Sequence, residues 1–257
     1  MFKSAHYQLL ELLRSPDADI YLQGAQLARF RDWLYLSPES EFVEGHSLRG
    51  GVPVIFPWFG PKKDDLSAPQ HGIARTAIWE VGNVAEDAVT LQVELDNWRA
   101  QMKFGFSEQL RMRLEVENIG QTPAPFECAL HTYYAVEDVC AISIEGLDGA
   151  TYLDKTDDYA RKTQSGDVTI EGETDRVYLD APGPITIRDA ARTIQITGAA
   201  GWRSTVVWNP WSEKAARMKD LDEWRKFVCV ECGAIADDAV SLGAGENYVL
   251  DVSVEAF

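Results

Sequence analysis

Alternation of apolar and polar residues dominates this chain. A period of two puts successive side chains on opposite faces of a β-strand, so each alternating segment is predicted to be a strand with one buried face. Many such strands with few helices indicate a large antiparallel sandwich or barrel. Five segments show the pattern clearly: Ala88–Leu95 (AVTLQVEL), Gln109–Glu117 (QLRMRLEVE), Thr193–Thr197, Ser204–Trp208 and Tyr248–Val254.

Helical periodicity is confined to short segments near the two ends. The first dozen residues are predicted to form one short helix. Ser212–Ala216 and Met218–Lys226 have room for one or two further turns. No repeat and no Ser/Gly-rich linker divides the chain, so residues 1–257 are predicted to be a single, mainly antiparallel all-β domain with a few short helices. The apolar face of the first helix would consist of Leu9, Leu10, Leu12 and Leu13.

The net charge of the chain restricts the classes of partner that such a domain can bind. The 257 residues include 24 Lys and Arg against 41 Asp and Glu, which gives a net charge of −17. Binding to nucleic acid needs a positive surface, and anionic lipid repels a chain of this charge. No segment approaches the roughly 18 apolar residues of a membrane span. We therefore expect neither nucleic acid nor a membrane as a partner, while a local basic pocket stays compatible with the net charge.

The compartment is indicated by the N-terminal segment and by the cysteines. The N-terminal segment lacks the continuous apolar core of a signal peptide, because Glu11 and Arg14 interrupt its leucine pairs. Without an export signal, cysteines in a chain of this length are typical of reduced thiols in a packed core. The sequence thus favours a cytoplasmic protein, and we expect a monomer. The cysteines are Cys128, Cys140, Cys229 and Cys232.

The segment Ser47–Gly60 (SLRGGVPVIFPWFG) is apolar but unsuited to a central strand. Its prolines remove ladder hydrogen bonds, and Gly50 and Gly51 permit backbone conformations that other residues avoid. A single cation, Arg49, lies at its entrance. This arginine is either paired with a surface acid above a buried loop, or a fixed cation in a pocket wall that binds a carboxylate or phosphate.

The segment Pro69–Arg75 (PQHGIAR) concentrates three polar side chains, those of Gln70, His71 and Arg75, around a glycine. An amide, an imidazole and a guanidinium in one loop are suited to the polar floor of a site for a sugar or a phosphate. A histidine beside a glycine is more often a structural residue, so the loop alone leaves both interpretations open.

Two predicted strands carry titratable side chains in apolar surroundings. In FECALHTYY, His131 is suited to the role of an acid–base group. A structural histidine that is hydrogen-bonded within the core would explain the same pattern. In KFVCVECG, Glu231 follows buried valines, where a carboxylate is costly without a partner or a function. Desolvation would raise its pKa toward the range of a general acid or base. Cys229 and Cys232 should point to opposite strand faces and lack a second ligand pair, so neither zinc nor redox chemistry is predicted.

Ten motifs, in this order, resemble the glucose-6-phosphate 1-epimerase (hexose-6-phosphate mutarotase) branch of the aldose 1-epimerase family. Any one of them is weak, but ten in register are specific, and they cover most of the chain. The resemblance implies a galactose-mutarotase-like β-supersandwich that needs no cofactor or metal and interconverts the α and β anomers of a hexose phosphorylated at C6. The motifs are GAQLARF, LYLSPESEF, RGGVPVIFPWFG, PQHGIAR, ALHTYY, GLDGATYLDK, TDRVY, VVWNPW, FVCVECG and a closing L-x-A-G-E-x-Y.

The resemblance also implies roles for individual residues. Glu231 and His131 match the catalytic residues, Glu231 as the base at the anomeric O1 hydroxyl and His131 as the acid at the ring oxygen O5. Which of two matching arginines takes the phosphate stays open. So does the role of three residues that match no motif position: Glu127, Lys62 and Lys63. The substrate-binding residues of the family match Arg49, Gln70, His71, Arg75 and Asp175.

Three other functions compete with this prediction. In a mutarotase for unphosphorylated aldoses, Arg49 and Arg75 would have no phosphate to bind. A non-catalytic carbohydrate-binding sandwich would not need an acid–base pair, and a purely structural protein would leave the strand-buried Glu231 unexplained. The sequence therefore predicts an isomerase whose partner is a small-molecule sugar phosphate, glucose 6-phosphate above all.

Overall fold

Strands are the dominant secondary structure of the chain, as the alternation predicts. The structure, a computed structural model, describes residues 1–7 and 10–257. In chain order its strands are β1 (Lys3–Tyr7), β2 (Leu10–Arg14), β3 (Ala18–Tyr21), β4 (Gln26–Phe30), β5 (Val54–Ile55), β6 (Glu80–Val84), β7 (Ala88–Leu95), β8 (Trp98–Phe106), β9 (Leu110–Asn118), β10 (Ala124–Phe126), β11 (Cys128–Leu130), β12 (Tyr133–Ala135), β13 (Ser143–Glu145), β14 (Thr151–Asp154), β15 (Ala160–Thr163), β16 (Thr174–Tyr178), β17 (Ile185–Arg188), β18 (Thr193–Ala200), β19 (Ser204–Asn209), β20 (Phe227–Ala234), β21 (Val240–Leu242) and β22 (Asn247–Ala256).

Helical structure is sparse within these ranges. There is one α-helix, α1 (Trp211–Ala215), which confirms the helical turns predicted near the end of the chain. No helix in residues 1–7 and 10–257 combines the length and the apolarity required to cross a membrane. Single 3₁₀ turns occur at Ala74–Thr76, Val139–Ala141, Lys155–Asp157, Trp224–Lys226 and Ala236–Asp238.

Two antiparallel sheets, each of eight strands among the described residues, share one apolar core. The site sheet has the order β15-β14-β16-β19-β20-β11-β5, with β12 also paired to β20. The back sheet has the order β13-β17-β18-β22-β9-β8-β7-β6. Side chains from both sheets, such as Val207 and Val228 from the site sheet and Leu114 and Val252 from the back sheet, belong to the same buried cluster. The predicted all-β sandwich is confirmed.

The helix predicted for the first dozen residues is wrong. The described part of this segment forms β1 and β2, which pair antiparallel and continue into a four-stranded sheet with β3 and β4. Leu9 lies outside the described residues. Leu12 and Leu13 are both buried, but they belong to different apolar clusters. A strand buried on both faces has consecutive apolar residues, and this is the pattern that resembled a helical face.

Candidate active site

Alternation along β20 decides which of its side chains face the site. Val230 and Cys232 point into the core between the two sheets, whereas Cys229 and Ile235 point to the outer face of the site sheet. Glu231 has the parity of the outer residues. The prediction that Cys229 and Cys232 lie on opposite faces is thereby confirmed. In the part of the chain that the structure describes, no cluster of His, Cys, Asp or Glu side chains is suited to a metal ion.

Strand register brings His131 to Glu231. β11 pairs Leu130 with Cys232, and β12 pairs Tyr133 with Cys229. The two pairings share one register, which places His131, the residue after Leu130, directly opposite Glu231. The imidazole Nε2 and the carboxylate Oε1 are 3.3 Å apart. Two side chains exactly 100 positions apart in the printed sequence thus form a cross-strand pair.

Both members of this pair are withdrawn from water. His131 is 8% exposed and Glu231 1% exposed. Burial raises the pKa of Glu231 well above its usual value. Burial, together with the positive charges of nearby groups, lowers the pKa of His131 well below its usual value. The second polar atom of each side chain, Nδ1 and Oε2, is buried without a hydrogen-bond partner among the described residues. Desolvation at this depth therefore favours the neutral forms of both side chains, the carboxylic acid of Glu231 and the uncharged imidazole of His131.

The pair opens into a cavity of about 240 Å³. All seven residues that the sequence analysis singled out for catalysis or substrate binding line this cavity. They come from strands, loops and a 3₁₀ turn that lie far apart in the sequence. The full lining is Arg49, Phe59, Gln70, His71, Arg75, His131, Lys155, Asp175, Trp208, Lys214, Met218 and Glu231.

Arg49 lies in the wall of the cavity and is also paired with an acid, so both interpretations of its segment apply in part. The chain beside it is fixed by Gly51 (φ +63°), where a Cβ atom would lie 2.2 Å from the carbonyl oxygen of Leu27. The guanidinium lines the cavity, but its Nε donates to Oδ2 of Asp220 at 3.0 Å, and its Nη2 lies 2.9 Å from the same oxygen. Its Nη1 donates to the hydroxyl of Tyr133 at 3.1 Å. Burial opposes the charge, yet these two partners keep the pKa of Arg49 above its usual value.

Arg75 is the less engaged of the two cavity arginines. Its Nη2 donates to the backbone oxygen of Gln70 at 2.7 Å. Across residues 1–7 and 10–257, no carboxylate forms a salt bridge with it. Burial lowers its pKa, but an arginine stays protonated. The cavity therefore contains a guanidinium that forms no salt bridge with the residues that the structure describes.

His71 is a neutral hydrogen-bond donor toward the cavity. Its Nδ1 accepts from the backbone N–H of Gly60 at 3.3 Å, which places the proton of the neutral ring on Nε2. Burial, followed by the charge of Arg75, lowers its pKa to about 3. The turn depends on Gly72 (φ +75°), because a Cβ atom there would lie 2.0 Å from the carbonyl oxygen of Phe56.

Asp175 reaches the cavity from β16, and its partner is Lys155. The ammonium Nζ lies 3.0 Å from Oδ1 of Asp175 and 5.2 Å from the ring centroid of Phe59. Burial raises the pKa of Asp175, and Lys155 opposes that rise. Sequence analysis missed Lys155 as a cavity residue, although it closes the motif GLDGATYLDK.

The residues that matched no motif position lie outside the cavity lining. The carboxylate of Glu127 accepts from the backbone N–H groups of Phe59 at 2.9 Å and Ala236 at 2.8 Å. It therefore ties the proline-rich segment to the chain that follows β20, and it is not a partner of the histidine. Lys62 and Lys63 line a separate groove, where the Nζ of Lys62 lies 5.0 Å from the ring centroid of Trp58.

Comparison with known proteins finds relatives that match nearly the whole chain. A family model described as aldose 1-epimerase matches residues 13–255. A protein of Cenchrus ciliaris is 31% identical in an alignment of 263 positions that covers 90% of this chain and 78% of that protein. A protein of Escherichia coli K12 is 34% identical in an alignment of 236 positions that covers 83% of this chain and 78% of that protein. Both are named "putative glucose-6-phosphate 1-epimerase".

A solved structure agrees with the fold. The crystal structure of a protein from Salmonella typhimurium, described as a "putative mutarotase", matches with a TM-score of 0.89. It is 26% identical and covers 99% of this chain and 93% of its own. The predicted mutarotase-like sandwich is thereby confirmed. With a family model across nearly its full length and relatives above 30% identity, this chain belongs to the aldose 1-epimerase family and is an isomerase.

Proposed function

We propose that the protein interconverts the α and β anomers of a hexose 6-phosphate, with glucose 6-phosphate as the favoured substrate. The observation that carries the proposal is the His131–Glu231 pair, 3.3 Å apart at the base of a cavity that also holds the unpaired guanidinium of Arg75. An acid and a base serve the anomeric centre, and a free cation serves an anionic substituent. The name of the Cenchrus and Escherichia relatives supports this substrate.

The chemistry is a redistribution of protons around C1. Glu231, as carboxylate, accepts the proton of the O1 hydroxyl, while His131, as imidazolium, donates a proton to O5. The C1–O5 bond breaks and an aldehyde forms. Rotation about C1–C2 presents the other face of the aldehyde, and the pair acts in reverse to close the ring. Each positioned proton transfer contributes about 10²- to 10⁴-fold to the rate.

Arg75 is proposed as the main phosphate ligand. Arg49 already donates to Asp220 and Tyr133, so binding a phosphate with it would compete with an existing ion pair. Arg75 has no such competitor in the described chain. His71, Gln70 and Asp175 would contact sugar hydroxyls, His71 as donor through Nε2–H. These assignments make the two arginines experimentally separable.

The test is anomer exchange of glucose 6-phosphate, measured by NMR exchange spectroscopy on the two H1 resonances. Exchange should rise in proportion to protein concentration and should be abolished in Glu231→Gln, which keeps its affinity for the sugar phosphate. The absence of acceleration with glucose, mannose and galactose 6-phosphates at high protein concentration would overturn the proposal.

Binding calorimetry in the inactive Glu231→Gln background tests the phosphate ligand. Arg75→Met should weaken glucose 6-phosphate by about 10- to 100-fold, the cost of removing one hydrogen-bonded charge, and leave the affinity for glucose unchanged. Arg99→Met removes an arginine from the back sheet, where Arg99 pairs with Glu94 and Glu117, and is the matched control. Equal losses of affinity for glucose 6-phosphate and for glucose would show that Arg75 does not bind the phosphate.

A further inference from the structure

Three of the cations that line the cavity, Arg49, Arg75 and Lys155, bear on its two catalytic side chains. Burial is the largest cause that lowers the pKa of His131, and the charges of Arg49 and Arg75 add to it. Lys155 opposes the rise that burial causes in the pKa of Glu231. Arg49 reaches the imidazole through Tyr133, whose hydroxyl accepts its Nη1 and whose ring lies parallel to that of His131 at 4.9 Å. Positive charge is therefore concentrated beside the group that must become a cation during the reaction.

This arrangement opposes the protonation state that ring opening requires. The resting pair has its proton on Oε1 or Oε2 of Glu231 and a neutral His131. Moving that proton to Nε2 of His131 leaves the net charge of the pair at zero, but it creates an imidazolium in a cavity that two guanidiniums also line. Of these, Arg49 is partly neutralised by Asp220 at 2.9 Å, whereas Arg75 has no carboxylate partner within the described ranges.

We infer that the phosphate group of the substrate activates the acid–base pair as well as anchoring the sugar. A dianion against Arg75 cancels the positive potential beside His131, so the proton of the Glu231 carboxyl passes to Nε2 of His131 when substrate is bound. This inference rests on the proposed function, because it takes the hexose 6-phosphate as the ligand of the cavity.

Protons balance over one ring-opening step. Transfer from Glu231 to His131 gives a carboxylate and an imidazolium. The carboxylate then takes the O1 proton, the O1 electrons form the C1=O bond, the C1–O5 bond breaks, and O5 takes the proton from Nε2. Glu231 is again protonated and His131 again neutral, which is the resting state, and ring closure runs through the same steps in reverse.

Activation by the phosphate is separable from anchoring because the dianion can be supplied apart from the sugar. The probe is sulfate, a tetrahedral dianion too weakly basic to catalyse mutarotation appreciably by itself. Sulfate should raise protein-catalysed mutarotation of unphosphorylated α-glucose, followed by polarimetry, with a saturable dependence of about tenfold or more, the effect of one pKa unit in the proton equilibrium. Chloride at equal ionic strength and a protein-free blank are the controls. The same sulfate should inhibit exchange of glucose 6-phosphate competitively.

A charge-removing variant tests the same inference without sulfate. In Arg75→Met the charge that opposes the imidazolium is gone, so basal turnover of glucose should rise above that of the wild type, and sulfate should no longer activate it. A residue that only anchors phosphate would leave basal glucose turnover unchanged. Arg99→Met, on the back sheet, should behave as the wild type in both respects.

The outcomes separate this inference from the proposed function. Sulfate that inhibits glucose 6-phosphate exchange without accelerating glucose overturns the inference and leaves the function in place. Unchanged or lower basal glucose turnover in Arg75→Met overturns it as well, whether or not sulfate binds. Failure of the wild type to exchange glucose 6-phosphate at all overturns the proposed function.

Discussion

Replacing Glu231 with Gln should stabilise the folded protein increasingly as the pH rises. The side chain is 1% exposed, and burial raises its pKa well above the ordinary 4.5. Above that pH an unfolded chain releases the proton while the folded chain keeps it. A raised folded-state pKa thus contributes stability that is fully present below the unfolded pKa and is lost as the pH rises through the folded pKa. Gln has no proton to lose, so its stability lacks this decline.

The magnitude follows from the single proton. While the folded protein keeps Glu231 protonated, the free energy of unfolding of the wild type falls by about 1.4 kcal/mol per pH unit relative to the variant. Over about two pH units within that range the difference should grow by about 2.7 kcal/mol. For a domain of this size this corresponds to about 5–10 °C in Tm. Contributions from His131 occur in both proteins and cancel to first order.

Urea denaturation of both proteins at several pH values measures this difference. Glu86→Gln, which removes the same charge from an exposed position, serves as control. Parallel stability profiles for wild type and Glu231→Gln would refute the reasoning, since they would mean that Glu231 is ionised in the folded protein.

Two loop contacts give further predictions. Glu127→Gln leaves one of the N–H groups of Phe59 and Ala236 without its carboxylate acceptor, so the urea midpoint should fall by an amount equivalent to about 1–3 kcal/mol; an unchanged midpoint would show that water replaces the contact. Gly72→Ala places a Cβ atom 2.0 Å from a carbonyl oxygen at φ +75° and should lower Tm more than Gly149→Ala, which has a similar φ of +77° but open space around it. Its cost should exceed the left-handed penalty of about 1–2 kcal/mol, and equal losses would contradict the crowding.

The chemistry of the site could be predicted from local sequence, and its pairing could not. A carboxylate in an apolar strand and a histidine in another were visible as separate anomalies. That they lie opposite each other depends on the register of β20 with β11 and β12, which is set by long-range packing. The parity of Glu231 with Cys229 was the part accessible from periodicity alone.

The difference between the two arginines could not be predicted from local sequence either. In the sequence Arg49 and Arg75 are equivalent cations in glycine-containing segments. The structure distinguishes them through Asp220, which lies 171 positions from Arg49 and has no motif of its own. Lys155 was missed for a related reason, because a lysine at the end of a strand motif looks like a solvated charge until its partner, Asp175, is known.

The buried cysteines can be used to follow the opening of the strands around the catalytic residues. Cys128, Cys229 and Cys232 are enclosed in β11 and β20, the strands that carry or adjoin His131 and Glu231, while Cys140 is exposed. Burial also raises the pKa of the enclosed thiols, which suppresses the reactive thiolate. A thiol reagent should therefore modify Cys140 first. It reaches the other three only when these strands separate, so their labelling rate measures the opening of the active site, and a ligand that bridges the strands slows it in proportion to its affinity.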